Sequence, residues 1–406
     1  MGRMVDGSAG RRISRRRFLG GAAALAALGL PRGASAQRLA GAEVRIAAVL
    51  PFEGVWADWG RKDRIAFELA VEEINASGGL GGVPIKAFIE DTASKPPEAA
   101  ALTRKMALDS KVLAIIGPFS SGEAEVAFPL GNQLKLPMIA EASSKPGVGA
   151  ANRPYAFRMN VDEGRQALPA IKRFIKEYHV KSVAVIHDVK EPVGQILGTR
   201  ILPALFKQNG IAIANEGNFL TFQARDLDFS AQVTRLKGLA ADGIAFGGVF
   251  SDAATFIKEA RRQGVRLPMV GGNPMMHELF LKLAGEAGEG TMAPSFFWAD
   301  SPDPRVQSLV KRFAARATAA GLPPTIEMIS VNTYDAVRLL ADVIKKTGVT
   351  NRPEDLAADR ERIMKGLAAT KDWPGVAGRH SFNQDGDGVK DIYVFVVKGG
   401  KWVRIE

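Results

Sequence analysis

The chain alternates short β-rich runs with amphipathic stretches, and this alternation constrains its fold more than any other feature. Three strand-like runs, 44–50, 83–90 and 112–116, are each followed by a segment of helical periodicity, and a fourth run lies at 136–140. In the stretch 58–77, for instance, Ile65, Leu69 and Ile74 fall on one helical face. Strict strand–helix alternation predicts a parallel sheet with helices on both faces.

The same pattern starts again after residue 160. Four further strand-like runs are each preceded by a helical stretch: 182–187, 211–217, 243–247 and 267–270. Two more helices are predicted at 305–319 and 325–346. Near the end, runs at 380–382, 392–397 and 402–405 are separated by turn-forming residues and predict antiparallel strands. The sequence therefore predicts two α/β lobes of similar size, each built on a doubly wound parallel sheet.

The segment 14–20 reads Ser-Arg-Arg-Arg-Phe-Leu-Gly, a twin-arginine pattern typical of a bacterial Tat export signal. A weakly apolar stretch follows at 20–30, and Ala-Ser-Ala at 34–36 offers a small-residue cleavage site. The alternative is an Arg-rich tail before an ordinary helix, but the charged, apolar and cleavage parts occur in the order of a signal. We therefore expect residues 1–36 to be removed and the mature protein to act in the periplasm.

The composition of the remaining chain narrows the function classes. Without the seven arginines and one aspartate of residues 1–36, the formal charge falls from +11 to +5, which does not favour nucleic acid as a partner. There is no cysteine, so disulfides, thiol catalysis and a lipoprotein anchor are excluded. The four histidines lack the spacing of metal ligands, and no later apolar run is long enough to span a bilayer. We expect a soluble protein without a cofactor or metal.

Three loops lie where a parallel sheet presents its ligand-binding edge, at the carboxyl ends of strands. The loop 51–59 carries Trp56 and Trp59, which either form a pocket wall or anchor the core. The loop 117–122 reads Gly-Pro-Phe-Ser-Ser-Gly, and its serines suit either an anion or plain helix capping. The loop 141–145 follows the next strand and adds further hydroxyl and amide donors.

Two apparent motifs carry less weight. The run Asn383-Gln-Asp-Gly-Asp-Gly388 begins like a calcium loop, but Val394 occupies the position that requires a bidentate glutamate, so a hairpin turn is favoured. His187 follows a strand and could act on Ser121 in a hydrolase. The two residues fall in different lobes, however, and no G-x-S-x-G turn surrounds any serine.

Four segments taken together resemble the periplasmic ligand-binding proteins of ABC importers, in the branched-chain amino acid (Leu/Ile/Val-binding) group. They are Ile-Asn-Ala-Ser-Gly-Gly-Leu-Gly-Gly at 74–82, Ile-Gly-Pro-Phe-Ser-Ser-Gly at 116–122, Leu-Pro-Met-Ile at 136–139 and Asp-Leu-Asp-Phe at 226–229. The resemblance covers the chain from residue 44 onward. It implies a type I Venus-flytrap fold, with two α/β lobes joined by a three-strand hinge and ligand bound between them.

The resemblance also implies where the lobes begin and end. The first lobe would comprise residues 43–160 plus 296–376, and the second 161–295 plus 377–406. The three crossovers between the lobes would fall near 159–162, 293–296 and 375–379.

Ligand-binding positions of the group carry over onto this sequence residue by residue. Ser121 matches the serine that binds the ligand carboxylate, and Ala142 and Ser144 match the groups that hold the carboxylate and ammonium. Trp59 matches the aromatic residue that covers the ligand from the first lobe. The aromatic residue of the second lobe is replaced here by Val249, so this wall is expected to differ.

The main departure from the group concerns charge. Amino-acid binders of this group place a carboxylate where this chain has Asn273, and that carboxylate pairs with the ligand ammonium. An unpaired ammonium in a closed cleft would cost several kcal/mol, on the order of other uncompensated buried charges. The resemblance therefore favours an aromatic or branched aliphatic acid over a free amino acid, and an amide stays open as a ligand.

The expected function is that of a periplasmic solute-binding component of an ABC transporter. It would act as a monomer, without catalysis, and deliver a small carboxylate-bearing ligand to an inner-membrane permease. Two alternatives stay open from the sequence: a periplasmic ligand sensor for a receptor and, less favoured, a secreted hydrolase that uses Ser121 with His187.

Overall fold

A computed structural model of the chain describes residues 39–405. The predicted export signal, residues 1–36, lies outside the described residues. Within 39–405, no helix combines the length and the apolarity that crossing a bilayer requires.

The described strands and helices follow the alternation seen in the sequence. In chain order the strands are β1 (Val44–Leu50), β2 (Ile85–Asp91), β3 (Ala114–Ile116), β4 (Met138–Ala140), β5 (Ala156–Val161), β6 (Ser182–Asp188), β7 (Ala212–Ile213), β8 (Leu220–Phe222), β9 (Gly243–Gly247), β10 (Met269–Gly271), β11 (Met292–Ser295), β12 (Trp373–Gly375), β13 (Gly378–Phe382), β14 (Asp387–Val389), β15 (Tyr393–Lys398) and β16 (Lys401–Ile405). The helices are α1 (Ala57–Ala76), α2 (Pro96–Leu108), α3 (Ser121–Gln133), α4 (Glu163–Tyr178), α5 (Pro192–Ile196), α6 (Leu202–Gln208), α7 (Ser230–Lys237), α8 (Phe250–Arg262), α9 (Glu278–Ala284), α10 (Pro304–Ala319), α11 (Met328–Lys346) and α12 (Leu356–Ala368).

The strands form two mostly parallel sheets, and the fold class predicted from the sequence is confirmed. The first sheet has the order β12-β13-β14-β5-β4-β3-β1-β2, and the second has the order β16-β15-β11-β10-β9-β6-β7, with β8 also paired to β6. We call the first sheet with the helices packed on it the first lobe, and the second sheet with its helices the second lobe. Antiparallel pairing is found at one end of each sheet, between β12, β13 and β14 and between β11, β15 and β16.

Local sequence explains the elements that carry the functional loops. The central strand β1 has an almost uninterrupted apolar sequence and buries both of its faces, as parallel strands covered by helices do. Helix α3 begins with a capping box, in which Ser120 Oγ accepts a hydrogen bond from Glu123 N (3.2 Å) and Glu123 Oε2 accepts one from Ser120 N (2.7 Å). The loop after β3 is therefore held in one conformation at the start of α3.

The chain passes between the sheets three times, and one of these crossovers differs from the prediction. The passages after β5 and after β11 lie close to the predicted ones. The third lies between Val389 and Tyr393, and the prediction of a crossover near 375–379 is wrong. Strand β14 pairs in parallel with β5 and antiparallel with β13, so residues 378–389 belong to the first sheet. A buried ion pair, Arg158 Nε to Asp387 Oδ1 at 2.7 Å, holds β14 against β5.

Side chains from the crossovers contact one another at the hinge. The Lys390 ammonium lies 4.6 Å from the centre of the Phe296 ring, which follows β11. It also contacts the side-chain oxygen of Asn332 on α11. The third crossover is thus attached both to the second crossover and to the first lobe.

Candidate functional site

A small cavity of about 30 Å³ lies between the two lobes. Loops that follow β1, β3 and β4 in the first lobe meet loops that follow β6 and β10 in the second, which is the ligand-binding edge of parallel sheets. The lining residues are Trp56, Trp59, Phe119, Ser120, Ser121, Ala142, Ser144, Glu191, Val193, Asn273, Pro274, Met328 and Ile329.

The structure brings five of the six predicted ligand-binding residues to this cavity. They are Trp59, Ser121, Ala142, Ser144 and Asn273. Val249 lies outside the lining, at the start of α8, where its side chain is buried. Val193 and Pro274 supply the apolar second-lobe surface of the cavity instead.

Hydrogen-bond donors converge at the start of α3. Ser121 Oγ accepts hydrogen bonds from Ser144 N (3.2 Å) and Lys145 N (3.1 Å), and it lies 3.1 Å from Ser143 Oγ. The loop after β4 is therefore tied to the first turn of α3. With both acceptor positions taken by backbone N–H groups, the Ser121 hydroxyl acts as a donor, to Ser143 Oγ or to an anionic group in the cavity.

Aromatic side chains form the apolar wall of the first lobe. The Trp56 ring centre is 5.6 Å from that of Trp59 and 5.6 Å from that of Phe119, and the Trp59–Phe119 distance is 6.4 Å. Met328 and Ile329, at the start of α11, extend this surface. Such walls set the size and shape of a ligand, while the few polar groups set its orientation.

Trp59 also contacts the second lobe directly. Its ring centre lies 4.9 Å from that of Phe250 and 4.6 Å from that of His277, both edge-on, and Phe250 stacks on His277 at 4.1 Å. Phe250, rather than its neighbour Val249, therefore carries the aromatic contact between the lobes. These rings are packed and buried, so the lobes are closed on this side of the cavity.

A buried ion pair joins the lobes beside these rings. Lys62 Nζ on α1 lies 2.5 Å from Glu278 Oε1 on α9 and donates to the carbonyl oxygen of Thr325 at 3.0 Å. Glu327 Oε1 accepts a hydrogen bond from Glu278 N at 2.6 Å. Burial raises the pKa of Glu327 to about 7 and holds the pKa of His277 well below its usual value.

Two buried carboxyl groups next to the cavity were not predicted. Glu191 lines it and accepts a hydrogen bond from Gly194 N at 2.6 Å. Glu163 Oε1 accepts one from Asn273 N at 2.9 Å. Burial raises the pKa of each carboxyl to about 7. Both residues follow closely after strands, β5 and β6, and this position is the signal that could have identified them from the sequence.

The hydrolase alternative finds no support in the contacts of Ser121. Within residues 39–405, no histidine or carboxylate is hydrogen-bonded to Ser121 Oγ, so it has no general base. His187 Nδ1 pairs with the backbone oxygen of Asp188 at 2.8 Å, and His187 does not line the cavity. The same part of the chain contains no group of three or more His, Asp or Glu placed to hold a metal ion.

Comparison with known proteins agrees with this architecture. Residues 43–401 match the family described as periplasmic binding protein. The leucine-, isoleucine-, valine-, threonine- and alanine-binding protein of Pseudomonas aeruginosa is 26% identical over 358 residues, 87% of this chain and 90% of that protein. The Leu/Ile/Val-binding protein BraC3 of Rhizobium johnstonii is 26% identical over 373 residues, 91% and 95% of the two chains.

Solved structures show the same fold. The branched-chain amino acid transporter substrate binding protein LivJ of Streptococcus pneumoniae, in complex with isoleucine, gives a TM-score of 0.75 at 25% identity and covers 89% of this chain and 100% of that chain. A solute binding protein of an ABC transporter from R. palustris, in complex with benzoate, gives a TM-score of 0.76 and covers 89% and 95% of the two chains. At 22% identity the second likeness concerns the fold alone.

Proposed function

The chain belongs to the periplasmic binding protein family, and from this we propose that it is the solute-binding component of an ABC transporter. The observation that carries the proposal is the cavity between the lobes, lined by hydroxyl and amide donors on one side and aromatic rings on the other. Relatives named for binding leucine, isoleucine and valine support a small carboxylate-bearing ligand, either an amino acid or an acid of similar size.

We assign the first contacts of the ligand to the first lobe. Ser121 would bind the carboxylate, Ala142 and Ser144 would contact the polar end of the ligand beside it, and Trp59 would cover the apolar part. Closure would then bring Asn273 of the second lobe against the ligand. A ligand that contacts both lobes stabilises the closed form, because only that form offers both sets of contacts. The permease would recognise the closed form and receive the ligand unchanged.

The location follows from the family together with the sequence. Periplasmic binding proteins act outside the cytoplasm, and we propose that the twin-arginine segment at 14–20 directs export of this chain to the periplasm. Its partners would be the ligand and an inner-membrane permease, and the protein would work as a monomer. A reporter fused to residues 1–36 should be exported, and replacing Arg15, Arg16 and Arg17 by lysine should stop export.

Binding of a small solute can be tested on the chain from residue 37 onward. Amino acids, aromatic acids, keto acids and amides should be compared by thermal unfolding, followed by calorimetry on those that stabilise the protein. A ligand at about 100 times its Kd should add about 2.7 kcal/mol of stability. Stabilisation by no member of the panel, or turnover of an ester or amide at Ser121, would contradict the proposal.

A further inference from the structure

The ionisable side chains around the cavity are acidic, and none of the lining side chains is basic. Among the residues that line it, Glu191 is the one with an ionisable side chain, and no lysine, arginine or histidine faces the space. The carboxyl group of Glu191 is held in place by its hydrogen bond from Gly194 N. The cavity therefore has a negative group in the second lobe and only neutral donors in the first.

A second carboxyl group lies directly behind two of the lining residues. Glu163 accepts a hydrogen bond from the backbone N–H of Asn273, and the nearby Ser144 hydroxyl favours its charged form. It is fully buried, and its Oε2 atom has no hydrogen-bond partner within residues 39–405. Residue 272 is a glycine, and a Cβ atom there would lie 2.3 Å from Glu163 Oε1, so the chain leaves room for this carboxyl to approach Asn273.

No protein cation neutralises these two groups. Neither Glu163 nor Glu191 forms a salt bridge in the described part of the chain. Lys145, a positive charge that acts on Glu191, is paired with Glu125. Asp162 and Asp188 add further negative charge nearby. A buried carboxylate without a counter-charge is costly, and a cation brought by a ligand removes that cost.

We propose that Glu163, reinforced by Glu191, is the counter-charge for a protonated nitrogen of the ligand. The inference rests on the proposed solute-binding function and narrows its ligand to a zwitterion, with the carboxylate at Ser121 and the ammonium between Ser144, Asn273 and Glu163. Asn273 cannot neutralise an ammonium, and Glu163 supplies the charge from a different element of the fold. A simple acid would instead place its carboxylate near these two acidic groups without a cation, which reverses the preference inferred from the sequence.

Matched ligand pairs test this assignment, because they differ only in the ammonium group. L-leucine and 4-methylpentanoate form one pair, and L-phenylalanine and 3-phenylpropanoate form another. Calorimetry on the chain from residue 37 onward should show at least tenfold tighter binding of the amino acid in the pair that fits the cavity. Glu163→Gln keeps an acceptor for Asn273 N but removes the charge. The ratio of the affinity for the amino acid to the affinity for its acid counterpart should therefore fall about 10- to 100-fold.

Two further variants keep the test decisive. Glu191→Gln should lower the same ratio, so the proposal can be judged even if Glu163→Gln does not fold. Asp335→Asn is the matched control, because Asp335 is also a buried carboxyl with a raised pKa but accepts hydrogen bonds from Val376 N and Ala377 N away from the cavity. In Asp335→Asn, the ratio of the affinity for the amino acid to that for its acid counterpart should equal the wild-type ratio.

The outcomes separate this inference from the broader proposal. Acids that bind as tightly as their amino counterparts, or a ratio unchanged in both glutamate variants, would overturn the counter-charge while solute binding stands. Failure of every amino acid and every acid to bind would overturn both.

Discussion

Ser121 is the residue on which the proposed carboxylate contact depends. Its hydroxyl accepts two backbone N–H groups, so it acts as a donor and can pass its proton from Ser143 Oγ to an anion in the cavity. Ser121→Ala should weaken ligand binding by about 1–3 kcal/mol, because a hydrogen bond to a charged group is lost. Titration calorimetry with the ligand found by the panel measures the change. Thr103→Val removes a buried hydroxyl that donates to Ala99 O within α2 and does not line the cavity, and affinity should change less than twofold; equal losses in both variants would contradict the assignment.

Asp63 gives the stability of the protein a defined dependence on pH. It is fully buried, Ser330 Oγ donates to its Oδ1 at 2.7 Å, and burial raises its pKa from 3.8 to about 8. A carboxyl with a raised pKa stabilises the folded state at low pH and loses that contribution as pH rises from about 4 to about 8. Asp63→Asn keeps an acceptor for Ser330 and removes this loss, so its unfolding free energy relative to wild type should rise by about 1 kcal/mol per pH unit between pH 5 and 8.

Chemical denaturation at several pH values measures this difference, and parallel curves for the two proteins would contradict it. Asp303→Asn is a useful comparison, because hydrogen bonds from Arg305 lower the pKa of the exposed Asp303 carboxyl. The contribution of Asp303 to stability is lost only as pH falls below about 4, so the difference between Asp303→Asn and wild type should stay constant between pH 5 and 8.

Local loop sequence was sufficient to find some cavity residues and not others. Ser121 and Ser144 sit in short polar loops after buried strands, where topology alone predicts a ligand. Met328 could not be found this way, because it begins a helix far along the chain and reaches the cavity through packing. Glu163 escaped prediction because its role depends on Asn273, 110 residues further on.

The lobes are held together by contacts between helix α1 and the start of α9. Replacing Glu278 by glutamine removes the charge that meets Lys62 across the cleft. The closed form should lose stability relative to the open one, and ligand should dissociate about tenfold faster. Stopped-flow measurement of the dissociation rate tests this. Glu68→Gln alters a surface pair with Arg64 within α1 and should leave the rate unchanged; an equal effect of both substitutions would exclude a role in closure.

Elements with a strong local pattern were predicted well from sequence. Strand β1 was predicted with its observed bounds, because an apolar run ends abruptly at Pro51. Helices α9 and α12 were missed, since α9 is only seven residues long and α12 is rich in charged residues. The last crossover was misplaced because nothing in the local sequence shows that β14 pairs with β5, more than 200 residues earlier.

At the scale of the whole molecule, the doubled α/β pattern was enough to predict two parallel sheets, because each strand–helix unit is encoded locally. The relative position of the two lobes was not encoded in this way. It depends on contacts such as Trp59 with Phe250 and Lys62 with Glu278, each of which joins residues about 200 positions apart. The resemblance to a known family predicted a cleft between the lobes. The residues that form the cleft are identified only by the side-chain packing in the structure.

Because Trp59 packs against Phe250 and His277 of the second lobe, the intrinsic tryptophan fluorescence of the protein should report closure of the lobes. In the closed form the Trp56 and Trp59 indoles are buried, and opening would expose them to water. Addition of ligand should therefore shift tryptophan emission toward shorter wavelength, with no attached dye. Trp59→Phe should diminish this response and leave the part that Trp56 contributes, whereas Trp373→Phe, a substitution away from the cavity, should preserve it in full. An undiminished response in Trp59→Phe would show that the reporting ring lies elsewhere.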